Sequence, residues 1–174
     1  VVRYVHYELM CSFVAVCAAA VSSAVAFSVR GAPEFEAGLG KTLASFAFLG
    51  AFGAAWGLLT CSRLKWVGEG HEFDTAVPLE NPDAVLPTPG SELRGSVNGI
   101  LFAFMVVSAL LGAFLWDRML ALCPLMFAPP WLTRAAYAAR WERRHGLLLW
   151  QGEVDDQPLG EDQFLYSSVR QATR

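Results

Sequence analysis

Three long runs without a charged residue constrain this chain more than any other feature. They cover residues 9–29, 42–61 and 97–116, with lengths of 21, 20 and 20. Charge returns at their ends: Glu8 and Arg30 bound the first, Lys41 and Arg63 the second, and Arg94 and Asp117 the third. A bilayer core of about 30 Å takes about 20 apolar residues at the helical rise. Each run meets that length. The sequence therefore predicts an all-α integral membrane protein with three transmembrane helices.

Composition agrees. Hydrophobic residues make up 55% of the chain and charged residues 17%. Soluble domains average about 45–50% apolar and about 25% charged. The apolar excess is gathered into the three runs, which a soluble core would not require. Net charge is −3, which gives no basic field for nucleic acid.

After the third run, residues 119–132 are apolar but only 14 long, with Pro124, Pro129 and Pro130 among them. Proline removes a backbone donor and clashes with the preceding helical turn. This segment reads as interfacial or re-entrant, and residues 1–132 as the membrane domain. Residues 131–145 read as an amphipathic helix. Trp131, Ala135, Tyr137, Ala138 and Trp141 share its broad apolar face, and Arg140, Arg143 and Arg144 occupy the opposite one. Such a helix suits the membrane surface or a protein partner. Arg134 falls on the apolar side, where it would have to snorkel.

Residues 133–174 form a second unit, this helix followed by an extended, partner-binding tail. Within it, 147–150 is a candidate short strand, and Phe164, Leu165 and Tyr166 are an apolar cluster in want of a receiving surface. The connection 62–96 carries Pro78, Pro82, Pro87 and Pro89 and lacks periodicity. It reads as a long irregular loop, mobile or held by a partner.

Three crossings put the N-terminus and this loop on one side, with Arg3, Arg63, Lys65 and Arg94. The other side then holds Arg30, Lys41, Arg118, Arg134, Arg140, Arg143 and Arg144. The excess of positive residues assigns the C-terminal tail to the cytoplasm, matrix or stroma. The host membrane would be a bacterial cytoplasmic, organelle inner or thylakoid membrane.

Small residues recur along the runs at helical spacing. Gly53 and Gly57 form a GxxxG pair, Gly99 precedes Ala103, and Ser108 precedes Gly112. In lipid, helices associate by close backbone approach, which small residues permit. The rows predict helix packing, within the chain or against another subunit.

Candidates for chemistry are few. His6 and Glu8 sit where the first run begins, and Asn98 where the third begins. Their nitrogen and oxygen atoms make them candidate ligands for chlorophyll or haem, and carotenoid or lipid would fit at subunit interfaces. His6 also suits a plain interface anchor. Glu8 would reach Arg63 or Lys65 at the neighbouring helix end. Four cysteines lack any Cys-x-x-Cys or Cys/His cluster, so no metal site is expected. No Walker loop, nucleophile elbow, dinucleotide fingerprint or HExxH occurs, and no catalytic residue is nominated.

The start of the third run, with Glu92, Arg94, Asn98 and Gly99, resembles the opening of a helix in light-harvesting chlorophyll proteins. Ile100 stands where that family carries arginine, and the family's first-helix Glu…His…Arg pattern is missing around Val5 to Glu8. No family is assigned on it. The expectation is an accessory, non-catalytic structural subunit of a multi-subunit complex in an energy-converting membrane. Its partners would be other membrane subunits and the bilayer. The alternatives are a pigment- or haem-binding protein, and a small stand-alone transporter or membrane enzyme.

Overall fold

The computed structural model describes residues 1–31, 39–62, 70–80, 82, 99–154, 156–160 and 163–169. Asn98, Arg63, Lys65 and Arg94 lie outside the described residues. In chain order come β1 (Val2–Arg3), α1 (Tyr4–Arg30), α2 (Leu39–Thr60), α3 (Gly70–Asp74), β2 (Val77–Pro78) and α4 (Gly99–Leu115). A 3₁₀ helix η1 (Arg118–Phe127), α5 (Ala128–His145), β3 (Leu147–Gln151) and β4 (Leu165–Val169) complete the order.

The chain is mostly helical, and α1, α2 and α4 fall on the three uncharged runs. Among the described residues, α1 is the helix both long and apolar enough to cross a membrane, with a mean hydropathy of 2.2 over its best window. α4 is a shorter apolar helix of 17 residues.

α1 is the central element. It packs against α4, η1 and α5, while α2 packs against α5 and η1. The buried side of α1 is made of small residues, among them Ala15, Ala18, Ala19, Ser22 and Ala26. Their spacing of three and four places them on one helical face. α4 runs parallel to α1, since Met105 packs with Ala15 and Ala18 and Ala113 packs with Ala26. At their shared end the Arg30 guanidinium donates to the carbonyls of Ala113 (2.5 Å) and Phe114 (3.2 Å). These carbonyls belong to the last turn of α4, which has no intrahelical donor for them.

The segment expected to be interfacial or re-entrant lies along α1, and the rest of α5 continues past it to the start of α1. Arg118 donates to the Arg30 carbonyl, Ser22 to Ala121, Ser12 to Ala128, and Arg3 pairs with Glu142. Residue numbers fall along one strand of this ladder as they rise along the other. η1 and α5 therefore lie antiparallel to α1. The prolines explain the change of helix type. Pro124 has no N–H for the carbonyl of Ala121, three residues earlier, and the Ser22 hydroxyl lies 2.6 Å from that oxygen. Pro129 and Pro130 then stand at the start of α5, where a missing N–H costs nothing. α5 stops at Gly146, a left-handed residue at φ 66° whose N–H reaches the carbonyl of Glu142.

The all-α expectation needs correction. A small sheet of order β1-β3-β4-β2 is present among the described residues. β3 and β4 form an antiparallel pair in which Trp150 faces Tyr166 across the strands. β1 pairs antiparallel with β3, and β2 parallel with β4. The strand expected at 147–150 is the sheet's β3. The tail is not simply extended, because Leu165 and Tyr166 are buried by the chain itself. Likewise the loop expected to be irregular contributes α3 and β2. Alternation divides the sheet's side chains between two faces. Leu149 and Leu165 pack with Tyr4, Val5, Phe73 and Ala138, while Trp150 and Tyr166 pack with Leu79 and Val154.

The sheet also corrects the expected topology. Strands from the N-terminus, from the 70–80 segment and from the C-terminal tail hydrogen-bond to one another. The tail and the N-terminus therefore lie at the same end of the helices, not at opposite ends.

Candidate functional site

At the end of the helices nearest the sheet, α1 and α5 bury a charged pair. Glu8 is 2% exposed, and its Oε1 lies 3.5 Å from Nη2 of Arg134. The same nitrogen donates to the Tyr4 hydroxyl at 3.2 Å. Tyr4 and Glu8 are one turn apart on the buried face of α1, so both reach the same guanidinium. Arg134, expected to snorkel, meets a carboxylate while 21% of its side chain stays exposed. Its partner comes from α1; Arg63 and Lys65, the partners expected for Glu8, lie outside the described residues.

Beside this pair is a cavity of about 340 Å³, lined in part by Tyr4, Tyr7, Glu8, Glu72, Arg134 and Gln151. Four elements supply these groups: α1, α3, α5 and β3. The arrangement offers hydroxyls, carboxylates, an amide and a guanidinium to one polar space. Desolvating two ions in this way is costly, and their attraction and the Arg134–Tyr4 hydrogen bond offset part of that cost.

Two apolar grooves flank η1 and the start of α5. One, of about 590 Å³, is lined by Phe52, Trp56, Met126, Phe127, Trp131 and Arg134, among others. The other, of about 540 Å³, is lined chiefly by α4 and η1, with Phe104, Leu111, Leu120 and Phe127 among its walls. Trp131 and Arg134 border both the first groove and the polar cavity.

The sequence-predicted packing residues divide by surroundings. A Cβ on Gly57 would lie 1.8 Å from Thr133 Oγ1 and 2.8 Å from both Cα and O of Pro130. One on Gly53 would lie 3.2 Å from Pro130 and 3.3 Å from the carbonyl oxygen of Met126. The GxxxG pair thus seats α2 on α5 of the same chain. Gly112 meets Leu120, whose nearest atom would be 3.2 Å from an added Cβ. Among the described residues nothing lies within 4 Å of a Cβ added at Gly99, and the Ser108 hydroxyl bonds within its own helix to Met105. Arg140, Arg143 and Arg144 are exposed on α5, as the helical pattern predicts.

His6 is half-buried in the first turn of α1. It is two residues from Glu8, which turns the two side chains to different faces. Among the described residues no group of three or more His, Cys, Asp or Glu side chains is placed to hold a metal ion. The four cysteines are thiols, with no disulfide between them.

Sequence reasoning misses Glu142. It is 2% exposed, yet it sits between charged neighbours in a run that reads as solvent-facing. Its carboxylate accepts from Arg3 and from the Leu149 N–H at 3.0 Å, tying β1, α5 and β3 together. The available signal is its spacing, four residues after Ala138 and seven after Ala135, both buried.

Comparison with protein-family models, curated proteins and solved structures finds no match for this chain.

Proposed function

We propose that the chain is a multi-pass membrane protein that serves as an accessory, non-catalytic structural subunit of a larger membrane complex. One observation carries the membrane reading: the packing polarity is reversed. Small residues fill the helix contacts, while large apolar side chains point outward. Phe13 on α1, Phe52 on α2 and Phe104 on α4 are 60%, 60% and 69% exposed. Val21, Val25, Leu58, Leu59, Val107 and Leu111 are exposed beside them. Isolated exposed apolar residues are ordinary, but contiguous faces this large on several helices call for lipid or protein cover.

The same geometry supports four crossings rather than three. A sheet cannot hydrogen-bond across a hydrocarbon layer. Its strands from both ends of the chain require an even number of crossings. The segment η1–α5 supplies the fourth, because the 10 residues of η1 span about 20 Å and the turns of α5 before Arg134 add about 9 Å. With four crossings, the described Arg3, Arg140, Arg143 and Arg144 share the sheet side. Arg30 and Arg118 hold the other. Four against two favours the cytoplasm, matrix or stroma as the sheet's side.

The subunit role is favoured by what α2 and α4 leave uncovered. Both helices pack on the α1–α5 axis, and their outer faces and the grooves beside η1 offer apolar area to neighbours. An energy-converting membrane is the setting proposed. Two measurements test the reading. Alkaline carbonate should leave the chain in the membrane pellet, and release into the supernatant would end the membrane assignment. Mild-detergent extracts run on a native gel should show it comigrating with a fixed set of other subunits. A monodisperse monomer would refute the subunit role.

A further inference from the structure

We propose that the exposed stripe of α5 binds an anionic phospholipid, of the phosphatidylglycerol type, on the sheet side of the membrane. This rests on the membrane reading above. Leu132, Ala136, Arg140 and Arg143 are all exposed, and Arg144 is exposed beside them. Their spacing of four, four and three keeps the first four on one face of the helix. The stripe changes character along its length. Leu132, 48% exposed, and Ala136 are apolar, and guanidiniums follow. Lipid tails over the apolar part are therefore continuous with headgroups over the basic part. An acidic soluble partner would match the arginines and leave the apolar part of the stripe without a reason.

Depth agrees. Arg134 meets Glu8, the last charge before the uncharged run 9–29, and so marks the edge of the hydrocarbon in that reading. Arg140 lies about 9 Å further along the helix and Arg144 about 15 Å. The headgroup layer extends about 5–7 Å beyond the hydrocarbon. Every Cα–Cβ bond of a helix tilts toward its N-terminus, which for α5 is the end inside the bilayer. The three long side chains therefore start out leaning back toward the phosphates. Charge selects the head. Glu142 is the acid of α5, but it is turned to the buried face and paired with Arg3. Among the described residues no ion pair engages Arg140, Arg143 or Arg144. A guanidinium fork suits phosphate oxygens. A zwitterionic head would bring its own ammonium to three arginines, so a head of net negative charge is the better match.

The test uses the full chain purified in mild detergent, stripped of lipid, and offered equal amounts of phosphatidylglycerol and phosphatidylcholine. Native mass spectrometry counts the lipid retained. One arginine near an anionic surface is worth about fivefold in affinity, so phosphatidylglycerol should be favoured by about fivefold or more. The joint change Arg140→Gln, Arg143→Gln, Arg144→Gln alters exposed side chains alone and should remove most of that preference. The corresponding joint change to lysine keeps the charges and should keep most of it. Equal retention of the two lipids by the unmodified chain, or a preference undiminished in the glutamine variant, overturns the proposal. If that variant keeps its lipid preference but loses its comigrating subunits on a native gel, the stripe belongs to an acidic protein partner, and the proposal is again overturned. Carbonate extraction of the unmodified chain reports separately on the membrane reading itself.

Discussion

Replacing Gly57 with alanine adds one methyl group where α2 meets α5, and the cost follows from what that methyl would touch. Its carbon would lie 1.8 Å from Thr133 Oγ1 and 2.8 Å from two backbone atoms of Pro130. Thr133 cannot simply turn away at no cost, because its hydroxyl bonds to the carbonyls of Pro129 and Pro130. The Pro130 backbone can move only if α5 moves. Overpacking of this kind costs about 1–3 kcal/mol, and a backbone obstacle puts Gly57 at the upper end. Alanine returns about 1 kcal/mol through helix propensity, so the net loss is about 2 kcal/mol. Gly50, two turns earlier on the same helix, has none of the described residues within 4 Å of an added Cβ. Gly50→Ala should therefore gain about 1 kcal/mol from propensity alone. The two chemically identical changes should differ by about 3 kcal/mol, more than a hundredfold in the folding constant. Unfolding with a graded denaturing detergent, followed by near-ultraviolet circular dichroism, measures both. Adding Thr133→Ala should recover part of the Gly57→Ala loss, since it removes the nearest obstacle but not Pro130. Equal stability of Gly57→Ala and Gly50→Ala would refute the seating of α2 on α5.

Three further outcomes are expected from the same assay or a close relative. Arg134→Met leaves the buried Glu8 carboxylate without its guanidinium and should cost about 3–5 kcal/mol, whereas the double change Glu8→Leu, Arg134→Met should cost clearly less; strict additivity in the double-mutant cycle would contradict the pair. Ser22→Ala leaves the Ala121 carbonyl without its donor and should cost about 1–2 kcal/mol. Ser23→Ala, whose hydroxyl bonds only within α1, should be close to neutral, and indistinguishable effects at Ser22 and Ser23 would argue against the η1 contact. Glu142→Gln keeps an acceptor for the Leu149 N–H but loses the charge facing Arg3, and should loosen the sheet by about 1–3 kcal/mol. Amide hydrogen exchange in 147–151 should accelerate accordingly, and unchanged exchange would count against Glu142 as the tie between α5 and the sheet.

The sequence by itself determined where the long helices lie, because one-dimensional hydropathy measures the length of an apolar run directly. Residues 9–29, 42–61 and 97–116 fall on α1, α2 and α4 with ends differing by a few residues. It also determined the solvent-facing side of α5, since helical periodicity alone sorts Arg140, Arg143 and Arg144 from Ala135 and Ala138. The small-residue rows announced close packing without naming the neighbour: Gly53 and Gly57 could serve any helix, and only the folded chain turns them to Pro130 and Thr133. Tertiary structure alone decided the sheet. β1 and β2 have two residues each, too few to show a period of two, and their partners lie far along the chain. It likewise decided the buried polar contacts. Arg134 meets Glu8 across 126 positions and Ser22 meets Ala121 across 99. Periodicity states which face a residue occupies, but the identity of the group opposite depends on how two helices are brought side by side.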